Sequence, residues 1–129
     1  MPSVIVAHSL GCIAFVQWAS QNNVSNIAGA MLVAPADADK SPNPLINAFG
    51  PVPTQKLLFP SVVVASTNDP FAAIHRQASY AAYWESKFVS IGNKGHINAA
   101  SNLGNWQEGL DILQQQLIEK ITGKIIRTT

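Results

Sequence analysis

A short apolar run that stops at a serine flanked by small residues is the feature that most limits what this chain can fold into. Val4-Ile5-Val6-Ala7 is β-branched and continuously apolar, which predicts a strand buried on both faces. His8-Ser9-Leu10-Gly11 follows at once, and Leu10 to Gln21 has helical character with small residues at Gly11, Ala14 and Ala19. A serine in a sharp turn from strand to helix fits the pattern G-x-S-x-G, with Ala7 in the first small position. Small residues are expected two places either side of Ser9 because the strand and helix backbones nearly touch. The serine is expected in a strained conformation that lifts its Oγ clear of the sheet. The plainer alternative is that Ser9 only caps the helix that starts at Leu10.

The rest of the chain repeats the same alternation. Ile27 to Val33 predicts a second buried strand, in which Gly29 and Ala30 permit close packing. Asp37 to Pro60 carries Pro42, Pro44, Pro51, Pro53 and Pro60, so it reads as an ordered connection with one helical turn. Ser61 to Ser66 predicts a third strand. Pro70 in a first turn then opens a helix over Phe71 to Trp84. Lys87 to Ile91 predicts a fourth strand, and Gly92 to Ser101 a loop. Asn105-Trp106-Gln107-Glu108 fits a capping box, with Asn105 in the cap position. Behind it Trp106, Leu110, Leu113, Leu117 and Ile121 form the apolar stripe of a packed helix. Strands alternating with helices predict a parallel sheet covered on both faces, in a single α/β domain spanning residues 1–129.

Charge and composition exclude several function classes. The 129 residues are 47% hydrophobic and 12% charged, with a net charge of +1. That balance leaves no disordered tail and no electrostatic case for nucleic acid. No apolar run approaches the roughly 18 residues of a membrane span, so no membrane partner is expected. The segment Met1-Pro2-Ser3 lacks the basic stretch of a secretory leader, and a cytoplasmic location is expected. Cys12 stands without a second cysteine and reads as a buried structural thiol. Neither His8 nor His75 has a second ligand at metal spacing, so neither metal nor cofactor is expected. Trp18, Trp84 and Trp106 read as packing residues.

In open parallel sheets, reactive groups gather at the carboxyl ends of strands. Ser9 follows the first predicted strand, Asp69 the third, and His96 the fourth. Taken singly, Asp69 before Pro70 is a helix cap and His96 a solvated loop side chain. Taken together, serine, aspartate and histidine in this order match the order of an α/β-hydrolase triad. The set answers a chemical need. A serine hydroxyl needs a base within hydrogen-bond reach, and the base needs a carboxylate to fix its tautomer. His8 lines or supports the turn, and His75 falls on a helix surface. The long proline-rich connection is expected to wall an acyl pocket, with Phe49 and Phe59 as its apolar side chains.

Five segments carry a family resemblance: 4–12, Leu32-Val33-Ala34-Pro35-Ala36-Asp37, 64–71, Gly95-His96-Ile97-Asn98-Ala99, and 103–109. They resemble the small serine hydrolases of the retinoblastoma-binding-protein-9/YdeN family. The resemblance implies an α/β-hydrolase fold with Ser9 as nucleophile, Asp69 as acid and His96 as base. It also implies hydrolysis of esters or amides of small acyl groups.

That family has a further βαβ portion ahead of the serine-bearing strand, and it supplies a second oxyanion donor. Here the backbone N–H of Leu10 is the available donor, and losing one such group costs about 10²–10³ in rate. The expectation is therefore the carboxyl-terminal part of a hydrolase fold, with about four strands. Residues 4–7 would then form an apolar edge able to pair with a second copy or a partner chain. A catalytically weak interaction protein is accordingly the rival to a serine hydrolase.

Overall fold

Each predicted strand has a parallel neighbour for its backbone, and the four make one sheet. The computed structural model describes residues 2–98, 106–119 and 121. Its strands are β1 (Ser3–His8), β2 (Ile27–Val33), β3 (Ser61–Ala65) and β4 (Lys87–Ser90), lying side by side in chain order. In register, Val6 sits beside Met31, Met31 beside Val62, and Val62 beside Lys87. The connections carry α1 (Leu10–Gln21), α2 (Pro44–Asn47) and α3 (Ile74–Trp84). After β4 comes α4 (Gln107–Leu113), which widens into a π-helical stretch over Gln114–Ile118.

Alternation along the strands sorts the core into two layers. Ala30, Leu32 and Val63 face Cys12, Ile13 and Val16 of α1 and Tyr80, Ala81 and Trp84 of α3. Met31, Val33, Val62 and Val64 face the opposite way, onto Leu117, with Ile112 and Leu113 alongside. Gly29 is needed for that second contact. A Cβ there would come within 2.9 Å of Ile121 Cδ1 and 3.0 Å of Leu117 Cδ1.

Several local expectations are corrected. β1 is not buried on both faces: Ile5 and Ala7 pack on the α1 side, whereas Val4 is 38% and Val6 56% exposed. The reason is its place at the sheet edge, while the π-helical stretch packs across β2 and β3. Gly11 is not under steric pressure either, since a Cβ added there meets nothing within 4 Å. α3 starts at Ile74 rather than Phe71. Asp69 Oδ1 accepts the Phe71 N–H at 2.8 Å, which folds 69–71 into a tight turn before the helix can begin.

In the last helix, Leu110 is exposed and Ile112 is the residue packed against the core. The Trp106 ring lies so close on Gly109 that a Cβ there would overlap it. The inward face therefore runs 106, 109, 112/113, 117, and Leu110 is turned off it. Trp106 itself takes the cap position in left-handed backbone. The expected Asn105 cap lies outside the described residues. The proline-rich connection does contain its one helical turn, α2, whose Asn43 side chain accepts the Leu45 N–H.

Trp84 is fully buried, stacks on Tyr80 with ring centroids 5.4 Å apart, and donates its indole N–H to the Pro53 carbonyl at 2.8 Å. It thereby joins α3 to the proline-rich connection. Trp84→Ala is expected to cost about 3–5 kcal/mol in urea unfolding, and a loss below about 1 kcal/mol would show the contact to be peripheral.

Candidate active site

Ser9 is the hinge between β1 and α1, and its backbone takes φ 58°, ψ −123°, a region costly for any residue with a Cβ. The surrounding hydrogen bonds hold it there. Its N–H donates to the Val33 carbonyl at 3.0 Å, and its own carbonyl accepts from Cys12 N–H at 3.0 Å. No side-chain capping bond forms, so the hydroxyl is not spent on the helix end.

Ser9 Oγ lies 2.7 Å from His96 Nε2. His96 Nδ1 lies 2.9 Å from each carboxylate oxygen of Asp69. A carboxylate can only accept, so Nδ1 carries the proton and Nε2 is left to accept from the Ser9 hydroxyl. The structure thus brings together the three side chains expected from strands β1, β3 and β4. His96 is buried rather than solvated, packed against the Phe71 ring at 4.5 Å between centroids. Leu10 opens α1, where an N–H has no partner within a helix.

The loops bearing Asp69 and His96 are tied to each other. Ser66 Oγ accepts the Lys94 N–H at 2.9 Å and donates to Asn68 Oδ1 at 2.9 Å, which also accepts the Gly95 N–H at 2.8 Å. Thr67 Oγ1 further bonds Asn93. His8 belongs to the same scaffold. Its Nε2 donates to the His96 carbonyl at 2.8 Å, so it supports the histidine loop from β1.

The remaining expected residues are not brought to the serine. Phe59 precedes β3, at the far end of the sheet, and lines a separate cleft of about 310 Å³ with Val16 and Leu57. Phe49 is exposed and is held alongside α1, where its carbonyl accepts from Gln17 at 2.5 Å. The cleft beside the site is instead one of about 320 Å³ lined by Asp37, Lys40, Asn43, Ile46, Pro70 and Phe71. His75 is exposed on α3, and Cys12 is buried, where burial pushes its thiol far above the ordinary range. Among the described residues no three histidine, cysteine or acidic side chains gather as metal ligands, and no helix is long and apolar enough to cross a membrane.

The sequence matches the serine hydrolase family over residues 1–115. The chain belongs to that family. A YdeN-like hydrolase from Pectobacterium atrosepticum superposes with a TM-score of 0.78 at 34% identity, over 90% of this chain and 60% of its own. The ydeN gene product of Bacillus subtilis follows at 0.73 and 20% identity, over 88% of this chain and 64% of its own. An esterase of Pyrococcus furiosus shares the fold at 0.61 and 13% identity, over 89% and 53%. The chain therefore spans about 60% of the length of its YdeN-like relatives. No curated protein matches it. The expected kinship with YdeN-type hydrolases and the α/β-hydrolase architecture are shown by these matches.

Two features escaped the sequence reading. Asp37, just past β2, is buried and takes Arg76 Nε at 2.9 Å and the Tyr80 hydroxyl at 2.6 Å. Gln77, between them on α3, is wholly buried and donates to Asp69 Oδ2 at 3.2 Å. The available signal was Arg76, Gln77 and Tyr80, all polar, on one face of a helix that must cover the sheet.

Burial alone would raise the Asp37 carboxyl, but the bonds from Arg76 and Tyr80 outweigh it and hold the group below its ordinary value. A carboxyl depressed in the folded state gives stability that is complete above its unfolded value and lost as pH falls through the folded one. Asp37→Asn is therefore expected to cost about 1–3 kcal/mol at pH 7. The gap from the unsubstituted protein should narrow below about pH 4. Urea melts at pH 7 and pH 3 check this, and an equal gap at both would refute it.

Proposed function

We propose that this serine hydrolase family member cleaves carboxylic esters or amides of small substrates through an acyl-enzyme formed on Ser9. The observation that carries the proposal is the unbroken line from Ser9 Oγ to His96 Nε2 at 2.7 Å and from His96 Nδ1 to Asp69 at 2.9 Å. As Oγ attacks the substrate carbonyl, His96 takes its proton, and Asp69 stabilises the imidazolium that results. The Leu10 N–H faces the developing oxyanion. His96 then protonates the leaving alcohol or amine, and water, deprotonated by His96, releases the acid. No cofactor enters these steps. The cleft lined by Ile46 and Phe71 takes the apolar part of the substrate, the role first given to Phe49 and Phe59.

Intact-mass measurement after exposure to a fluorophosphonate tests this. One adduct is expected, absent in Ser9→Ala, with labelling slowed about 10²–10⁴-fold in His96→Ala. An adduct that survives Ser9→Ala, or none on protein shown to be folded by circular dichroism, would reject the proposal.

A second reading has its own observation. Val4 and Val6 are exposed on β1, which lies at the sheet edge among the described residues. Such an edge suits pairing with a second copy or a partner chain, and the protein would then act by interaction with little turnover. Sedimentation should show concentration-dependent association that Val6→Lys abolishes. A monomer at all concentrations would end this reading.

A further inference from the structure

We infer that Gln77 is a positioning residue for the reacting histidine, acting by taking up part of the charge of Asp69; the inference rests on the triad proposed above. Gln77 lies on α3 and has no measurable exposure. Its Nε2 sits 3.2 Å from Asp69 Oδ2 and 3.2 Å from the Pro35 carbonyl. Both neighbours are acceptors only, so the amide must present its NH₂ to them. That orientation leaves Gln77 Oε1 buried with no hydrogen-bond partner among the described residues. A buried acceptor without a partner is a standing penalty, and a leucine or methionine would fill the same space without it.

What the amide gives in return is specific to Asp69. One carboxylate oxygen receives the Phe71 N–H at 2.8 Å and the other receives Gln77, while His96 Nδ1 lies between the two. The two donors fix the plane of the carboxylate, so that it meets the imidazole edge-on. They also share its charge, because each N–H dipole points its positive end at the oxygen it serves. The Phe71 donor is backbone and cannot be varied. Gln77 is the side chain through which this sequence sets how strongly Asp69 draws on the His96 Nδ1 proton. Its second bond, to Pro35, ties that setting to the loop following β2, the same loop that carries Asp37 into the cleft lined by Pro70 and Phe71.

The test reads the resting protein by nuclear magnetic resonance at low temperature, without substrate. With the donor removed in Gln77→Met, Asp69 becomes the stronger acceptor and the His96 Nδ1–H signal should move to lower field. A purely space-filling Gln77 would leave that signal in place, and an unmoved signal in a folded variant overturns the inference. In the unsubstituted protein, one Gln77 side-chain amide proton should resonate at low field and return toward ordinary positions in Asp69→Asn. An ordinary position from the start overturns the inference even where Gln77→Met fails to fold. With the carboxylate plane no longer fixed, the loss of alignment outweighs the stronger acceptor and fluorophosphonate labelling of Gln77→Met should slow about 10- to 100-fold; labelling at the unsubstituted rate would overturn any role in reactivity. If both low-field signals are present and no labelling occurs in the unsubstituted protein, the hydrolase proposal fails while the Gln77–Asp69 coupling stands.

Discussion

The backbone of Ser9 is the constraint on which the rest of the structure turns. A serine at φ 58° is held only if strand, helix and neighbouring loop all fix it at once. β2 does this most directly: it pairs with β1 through His8 opposite Val33, and the Val33 carbonyl then receives the Ser9 N–H. Ala34, the next residue, is itself at φ 50°, and its N–H reaches the Val64 carbonyl of β3. Ile97, beside His96, is at φ 54°. Two strained positions thus directly follow the neighbouring strands β1 and β2, and a third lies in the loop after β4. Strain at strand ends of a parallel sheet is where a candidate site is expected.

The two loops that bring Asp69 and His96 to the serine are built on another principle. They are anchored by short polar side chains as well as by the apolar packing of Ile97 and of His96 on Phe71. Ser66 and Asn68 bond the backbone of the His96 loop, and His8 bonds the His96 carbonyl from the other side. Side-chain bonds to backbone help such loops keep their shape. Asp69 is buried, and its charge is met by His96, by the Phe71 N–H and by Gln77.

Much of this was legible in the sequence, and the boundary is physical. α1 and β2 run over the residues that their patterns mark, because continuous apolar runs and helical spacing are local properties. The order of Ser9, Asp69 and His96 was legible because each lies in the connection that follows a strand, and parallel strands place their ends together. What could not be read depends on partners far apart in the chain. Asp37 meets Arg76 and Tyr80 across about forty residues with no motif linking them. The start of α3 was misplaced because the Asp69 carboxylate captures the Phe71 N–H, a bond that proline-based helix rules do not anticipate. Phe59 was assigned to the wrong end of the sheet because its position before β3, not its apolar character, decides where it lies.

The same distance argument explains why α3 matters more than its sequence suggests. One face of it buries Tyr80, Ala81 and Trp84 against the sheet, and its first turn brings Arg76 and Gln77 to the loops after β2 and β3. Packing and site geometry therefore share a single rigid body. An opening of α3 would separate Gln77 from Asp69 and Arg76 from Asp37 together, and the Asp69 turn at Phe71 would lose its support on the helix side. The stability of this helix on the sheet then sets the fraction of molecules in which Ser9, His96 and Asp69 are aligned. Trp84, at the far end of α3 from these three side chains, holds that alignment through burial, stacking on Tyr80 and its bond to the Pro53 carbonyl, without any contact with them.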